Sequence, residues 1–297
     1  MEAAELPRSD VAAIIHEFRQ ALPWLRGFQR NGRGARLNVY AQSCVRIEGL
    51  EGQLHSEADL ISLSDMDHLA RVWRHREPLE RLGDLESRMV VVIGGQRFYQ
   101  DDTDHEPRNK LFELLCGCYL AQIGMTIEKS LDGDLAATWH RRRILGECKR
   151  QNSEADRATM DLVVKAAKQL QERRSADELG LVFLDLTVAR NPSSTVDDAE
   201  SDSDATSKAK DGLYWHVNRI YEGAVSRLRS EHDAAICCLT SEVFWIGSEN
   251  RWAVNERWLV VTNPRASRHA RAFIDAFDVA GRSLSPSLAT VRTPFEN

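Results

Sequence analysis

Asp134 is followed, after twelve intervening residues, by Glu147, and then by Lys149, in the run Gly146-Glu147-Cys148-Lys149-Arg150. The spacer has the length of a β-hairpin, which puts the acid on one strand and the Glu-x-Lys on its partner. Residues 147 and 149 are two apart and so share a strand face. Two carboxylates and an ammonium gathered in this way suit the holding of a divalent cation beside a phosphate. Phosphodiester hydrolysis must stabilise charge on the phosphoryl oxygens and activate a water, and Mg²⁺ does both through hard oxygen ligands. Asp134 and Glu147 are the candidate carboxylate ligands, with the backbone carbonyl of Cys148 as a third. Lys149 would orient or deprotonate the attacking water, or neutralise charge in the transition state. Asp132 competes with Asp134 for the first position. The rival explanation is an exposed strand face with paired charges. Apolar Ile144 and Leu145 and small Gly146 count against it, because bare charge on a buried strand is costly.

The elements that must position these residues begin near Pro107, which suits the first turn of a helix. Phe112, Leu115, Cys116, Tyr119, Leu120 and Ile123 then recur at helical spacing, and Gly124 supplies the stop. Glu113 sits at the edge of that apolar stripe. Residues 125–129 read as a short strand. Residues 134–139 and 143–149 read as two more, joined by a basic turn around His140. A helix follows with Met160, Val163, Val164, Ala167 and Leu170 on one face, and Lys165 and Gln169 on its polar side. Residues 181–188 read as a buried strand with a lone Asp185, either a paired structural acid or a site-facing group, the structural reading being preferred. Residues 193–210 are acidic and Ser-rich, which predicts a flexible loop. A helix over 213–228, strands over 234–239, 243–246 and 258–261, and a last helix over 266–277 complete this part.

Upstream, Asp10 would cap a helix carrying Val11, Ile14, Ile15, Phe18, Leu22 and Leu25. Residues 37–50 are ambiguous, with 38–40 and 44–47 as candidate short strands. A helix spans about 65–76 and ends near Pro78. Leu82-Gly83-Asp84 reads as a turn or the start of a short helix. Residues 89–93 form a β-type run, with 97–99 as a hairpin partner.

The chain has 297 residues, 42% hydrophobic and 28% charged, the balance of an ordinary globular protein. No apolar run approaches the roughly 18 residues of a membrane span, and the first residues lack a secretion-signal pattern. The expectation is a cytoplasmic protein with no membrane partner. The six cysteines include no Cys-x-x-Cys pair, so they read as buried free thiols. The net charge of −6 is concentrated in Asp197, Asp198, Glu200, Asp202 and Asp204. It therefore bears on association, not on site chemistry. His140–Arg143 most simply form a solvated turn, although Arg143 and Arg150, with Lys165 and Gln169, are candidate nucleic-acid contacts.

Together these residues resemble the PD-(D/E)xK nuclease superfamily, over about residues 107–190 with 213–239 as a continuation. The matching pieces are the helix with Phe112-Glu113, Gly133-Asp134-Leu135 opening a hairpin, and Glu147-Cys148-Lys149 on the partner strand, followed by a helix and a strand. Gly133 stands where the family often has proline. The resemblance implies an α/β (mixed α+β) domain at 101–297 with a restriction-endonuclease-like central sheet flanked by helices. A mainly helical accessory region precedes it at 1–100, and an acidic flexible loop interrupts it at 193–210. It also implies Mg²⁺-dependent cleavage of nucleic acid, DNA in the first place, with Mn²⁺ as a substitute. Asp134, Glu147, Lys149 and Glu113 would be catalytic. Asp134, Glu147, the Cys148 carbonyl and Glu113 would be metal ligands. Relatives with this form often serve prokaryotic defence or DNA repair. Nucleases that cut both strands are commonly dimers, so a homodimer is one expected partner, and a protein bound through residues 1–100 is another. The alternative is a catalytically silent module of the same fold that binds nucleic acid or a protein. An intact Asp134, Glu147 and Lys149 counts against it.

Overall fold

A computed structural model describes residues 11–30, 35–49, 57–95, 104–130, 133–151, 155–187, 197–249, 251–284 and 288–291. The chain opens with helices α1 (Val11–Arg26), α2 (Ala35–Gly49), α3 (Glu57–Arg74), α4 (Arg76–Glu80) and α5 (Leu85–Ile93). Then come α6 (Glu106–Gln122), β1 (Thr126–Glu128), β2 (Leu135–Trp139), β3 (Arg142–Arg150), α7 (Asp156–Arg173) and β4 (Leu179–Asp185). The last part holds β5 (Asp197–Ala199), α8 (Asp202–Val225), β6 (Asp233–Ile246), β7 (Arg251–Thr262), α9 (Arg268–Leu284) and β8 (Leu288–Val291).

The strands form one mixed sheet in the order β1-β2-β3-β4-β6-β7-β8, with β5 pairing to the far end of β6. β2 pairs antiparallel with both β1 and β3, whereas β3, β4 and β6 run parallel. The β2–β3 hairpin pairs Leu135 with Gly146 and Trp139 with Arg142. One step further along, the same register sets Asp134 opposite Glu147. The two-residue turn puts His140 at φ 46° and Arg141 at φ 68°. That is the left-handed pair a tight hairpin requires, supplied here without glycine.

Each face of the sheet carries its own core. One apolar cluster joins Phe18, Leu25, Leu69 and Met89 of the N-terminal helices to Leu115 and Cys116 of α6, Phe273 and Phe277 of α9, and Phe183 and Trp258 of the strands. On the opposite face, Val163, Ala167 and Leu170 of α7 and Leu213 and Val217 of α8 pack on Leu145, Val182, Ile236 and Leu259. The N-terminal helices therefore share their apolar core with the sheet. No helix among the described residues is long and apolar enough to cross a membrane.

Several expectations are corrected. Residues 37–49 hold a helix, not short strands. Leu37, Tyr40, Cys44 and Ile47 are buried at steps of three and four, while Val45 is 64% exposed. Residues 89–93 are the end of helix α5, where Leu85, Arg88, Met89, Val92 and Ile93 face inward. Tertiary burial of that stripe overrides the β-propensity of three consecutive valines. The expected partner strand at 97–99 lies outside the described residues, as do Asp10 and Asp132. The acidic segment is ordered from 197 onward, as β5 and the first turns of α8. Its acids suit a helix N-terminus, where Ser201 Oγ accepts from the Asp204 N–H at 3.2 Å. Small Ala199, Ala205 and Ala209 pack against Phe244 and Ile246. Residues 234–239 and 243–246 belong to one long strand, β6.

Candidate active site

The hairpin register and strand alternation bring three of the expected residues together. Lys149 Nζ donates to Glu147 Oε2 at 2.9 Å, to the Cys148 carbonyl at 3.1 Å and to Asp134 Oδ2 at 3.3 Å. The Cys148 N–H also donates to Asp134 Oδ2 at 2.8 Å, tying the acid to the partner strand. Ser130 Oγ shapes the entry to β2 by accepting from the Gly133 N–H and donating to the Gly133 carbonyl. Glu147 is fully buried, so its charge depends on these partners.

A second set of cations surrounds this group. Arg173, at the end of α7, donates Nη1 to Glu147 Oε1 at 2.8 Å. Glu113 accepts from Lys110 on both oxygens, at 2.9 and 3.0 Å, and its Oε2 also accepts from Arg88 Nη1. The same Arg88 nitrogen donates to the Asp134 carbonyl at 3.2 Å, and Arg88 Nε to Asp84 Oδ1 at 2.8 Å. Arg88 thus ties helix α5 to α6 and to the mouth of the hairpin.

Burial and the Asp134 charge push the Glu147 carboxyl above its ordinary value, against the pull of Lys149 and Arg173. Burial and Asp134 do the same to Glu113, opposed by Lys110 and Arg88. For Lys149, burial alone would favour the neutral amine. Asp134 and Glu147 outweigh it and hold the ammonium above its ordinary value. Lys149 is therefore held as an ammonium in this arrangement.

The donor chemistry fits a hard cation. Two carboxylate oxygens and a carbonyl oxygen point at one place, and Mg²⁺ takes few protein oxygens while keeping waters. The fit stops at those three. Among the described residues, no group of three His, Cys, Asp or Glu side chains is gathered to hold a metal. Glu113, expected as a fourth ligand, has both oxygens engaged by Lys110 and Arg88.

The expected nucleic-acid contacts separate. Lys165 is exposed on α7 and Gln169 is half-buried one turn on, with its buried Oε1 lacking a hydrogen-bond partner. Both lie on the row that ends at Arg173, so their side of the helix leads to Glu147. Arg143 is not brought to the site. It sits four residues before Glu147 and pairs with Glu178 and Glu128. Arg150 follows Lys149, and strand alternation turns it to the opposite face, where its Nε donates to Asp185 Oδ2 at 2.9 Å. Asp185 is thus the paired acid expected of it. All six cysteines are buried free thiols, Cys148 among them.

Sequence reasoning did not single out Arg88 or Arg173 for the site. For Arg173 a signal existed, since it falls four and eight residues beyond Gln169 and Lys165 on the same helix. For Arg88 there was none, because it directly precedes a run, 89–93, that reads as a strand. Comparison with known proteins adds no relative: no family model, no curated protein and no solved structure matches the chain.

Proposed function

We propose that this chain is a metal-dependent nuclease that hydrolyses phosphodiester bonds of nucleic acid, DNA in the first place. The carrying observation is the convergence of Asp134 Oδ2, Glu147 Oε2 and the Cys148 carbonyl on a single cationic nitrogen. The restriction-endonuclease-like fold belongs to the same proposal. It is supported by the order α6, β1, β2, β3, α7, β4 and by the hairpin that carries the three residues.

In this reading Asp134, Glu147 and the Cys148 carbonyl hold Mg²⁺, or Mn²⁺ in its place. The bound ion would polarise the phosphate and lower the pKa of a water. The chain's own contribution is positioning and charge. Lys149 supplies positive charge to the phosphoryl oxygens. Arg173 keeps Glu147 ionised in a buried position, and Glu113 fixes Arg88 against the Asp134 carbonyl. Lys165 and Gln169 line the approach from α7.

The test is cleavage of supercoiled plasmid and of short single- and double-stranded DNA and RNA, with Mg²⁺, Mn²⁺ or chelator, comparing wild type with Lys149→Ala. Cutting that needs metal and disappears in the variant supports the proposal. Metal-independent cutting, or cutting that survives Lys149→Ala, sinks it.

A second reading has its own observation. Asp134, Glu147 and Glu113 are each already engaged by lysine or arginine, so the cluster is a satisfied ion network without further charge. That suits a silent module of the same architecture, which binds nucleic acid or a protein and does no chemistry. Calorimetric Mn²⁺ titration separates the two readings, since the silent module binds no ion at Asp134 and Glu147.

A further inference from the structure

We infer that Lys149 is a built-in competitor for the metal, an internal cation that must leave the focus of Asp134, Glu147 and the Cys148 carbonyl before a divalent ion can take it. The inference rests on the nuclease reading and adds a form of regulation to it.

The geometry makes the two occupants exclusive. The ammonium bonds to one oxygen of each group at 2.9, 3.1 and 3.3 Å, and these are the oxygens assigned to the metal. A divalent ion at the same focus would sit within a few ångströms of a like charge, inside a site sheltered from water. Lys149's side chain is 12% exposed and that of Glu147 is not exposed at all. Repulsion there is poorly screened. The lysine has a flexible stem, so it can swing out and keep its charge beside the incoming phosphate. While in place it also offsets the repulsion between Asp134 and Glu147, which keeps the two acids together. Arg173 does not compete in this way, because it bonds the other oxygen of Glu147.

The consequence is opposite in sign to that of an ordinary ligand-supporting residue. Removing the ammonium while keeping the stem should tighten metal binding even as it removes catalysis. Mn²⁺ titration of the full chain by calorimetry tests this. Lys149→Met should bind about tenfold more tightly than wild type, and charge-keeping Lys149→Arg should not gain. Equal or weaker binding by Lys149→Met overturns the inference and leaves the nuclease reading standing. Absence of Mn²⁺ binding in wild type and Lys149→Met alike overturns both. A second measurement needs no variant. Amine acylation of the wild-type protein, mapped by mass spectrometry, should label Lys149 faster with saturating Mn²⁺ than with chelator, while exposed Lys168 is unaffected. Labelling of Lys149 that is unchanged or slower with Mn²⁺ overturns the inference by itself.

Discussion

Lys149 cannot be exchanged for a smaller residue without consequence, because three bonds end on its ammonium. Under the proposed function, Lys149→Ala should reduce metal-dependent cleavage by about a hundredfold or more, measured as single-turnover rates on plasmid DNA. A variant within tenfold of wild type would remove Lys149 from the chemistry. A different residue contributes to acid stability. Burial works to raise the Glu256 carboxyl, but Arg71 and His68 outweigh it and hold Glu256 well below its ordinary 4.5. The ionised acid is thus favoured by folding, and its contribution is full above pH 4.5 and lost as the pH falls below it. Glu256→Gln should therefore lower stability at neutral pH by about 3 kcal/mol and flatten the loss between pH 4.5 and 2. Denaturant melts across that range would show it, and parallel curves for variant and wild type would contradict it. At this scale the sequence exposed the clustered groups well. Asp134, Glu147 and Lys149 are joined by spacing within one hairpin, a local matter. Arg88 and Glu256 acquire their partners from segments 25 and 185 residues away, which no local pattern encodes.

Helices and strands divide by how strongly burial decides them. The described elements within 107–173 follow their pattern because each has a clear period and its own punctuation, such as Pro107 in the first turn of α6 and Gly124, at φ 87°, after it. In α2 the alternating look of Asn38-Val39-Tyr40 conceals a helical stripe, which a surface substitution can confirm. Val45→Ala should raise stability by about 0.5 kcal/mol, since an exposed β-branched residue is a poor helix former. Leu37→Ala should lower it by about 2–5 kcal/mol by opening the core. A strand at 44–47 would give Val45→Ala the opposite sign. The β2–β3 turn makes its own prediction. Arg141 has φ 68°, a conformation that glycine adopts without strain. Arg141→Gly should stabilise the hairpin by about 1 kcal/mol in chemical denaturation. A destabilised variant would mean that the side chain, not the backbone, sets the turn.

Across the whole molecule, the N-terminal helices act as one side of the core. Leu69 and Met89 share a cluster with Leu115, Phe183 and Trp258. A chain starting at residue 104 would uncover that face of α6 and the sheet. It should bind a hydrophobic dye strongly and lose protection in hydrogen exchange along β6 and β7. A well-folded, dye-free fragment would show instead that residues 101–297 stand alone. By itself the sequence determined the mixed sheet with flanking helices, the αβββαβ order around the hairpin, and the three residues at its centre. Those follow from hydrophobic periodicity and from chain-local spacing, which act over a few residues. Only the tertiary structure decided that residues 89–93 are helical, that the acidic segment from 197 onward is ordered, and that Arg88 reaches the hairpin. In each case the deciding term is burial or charge pairing against a distant segment, and such energy exists only once the chain has folded.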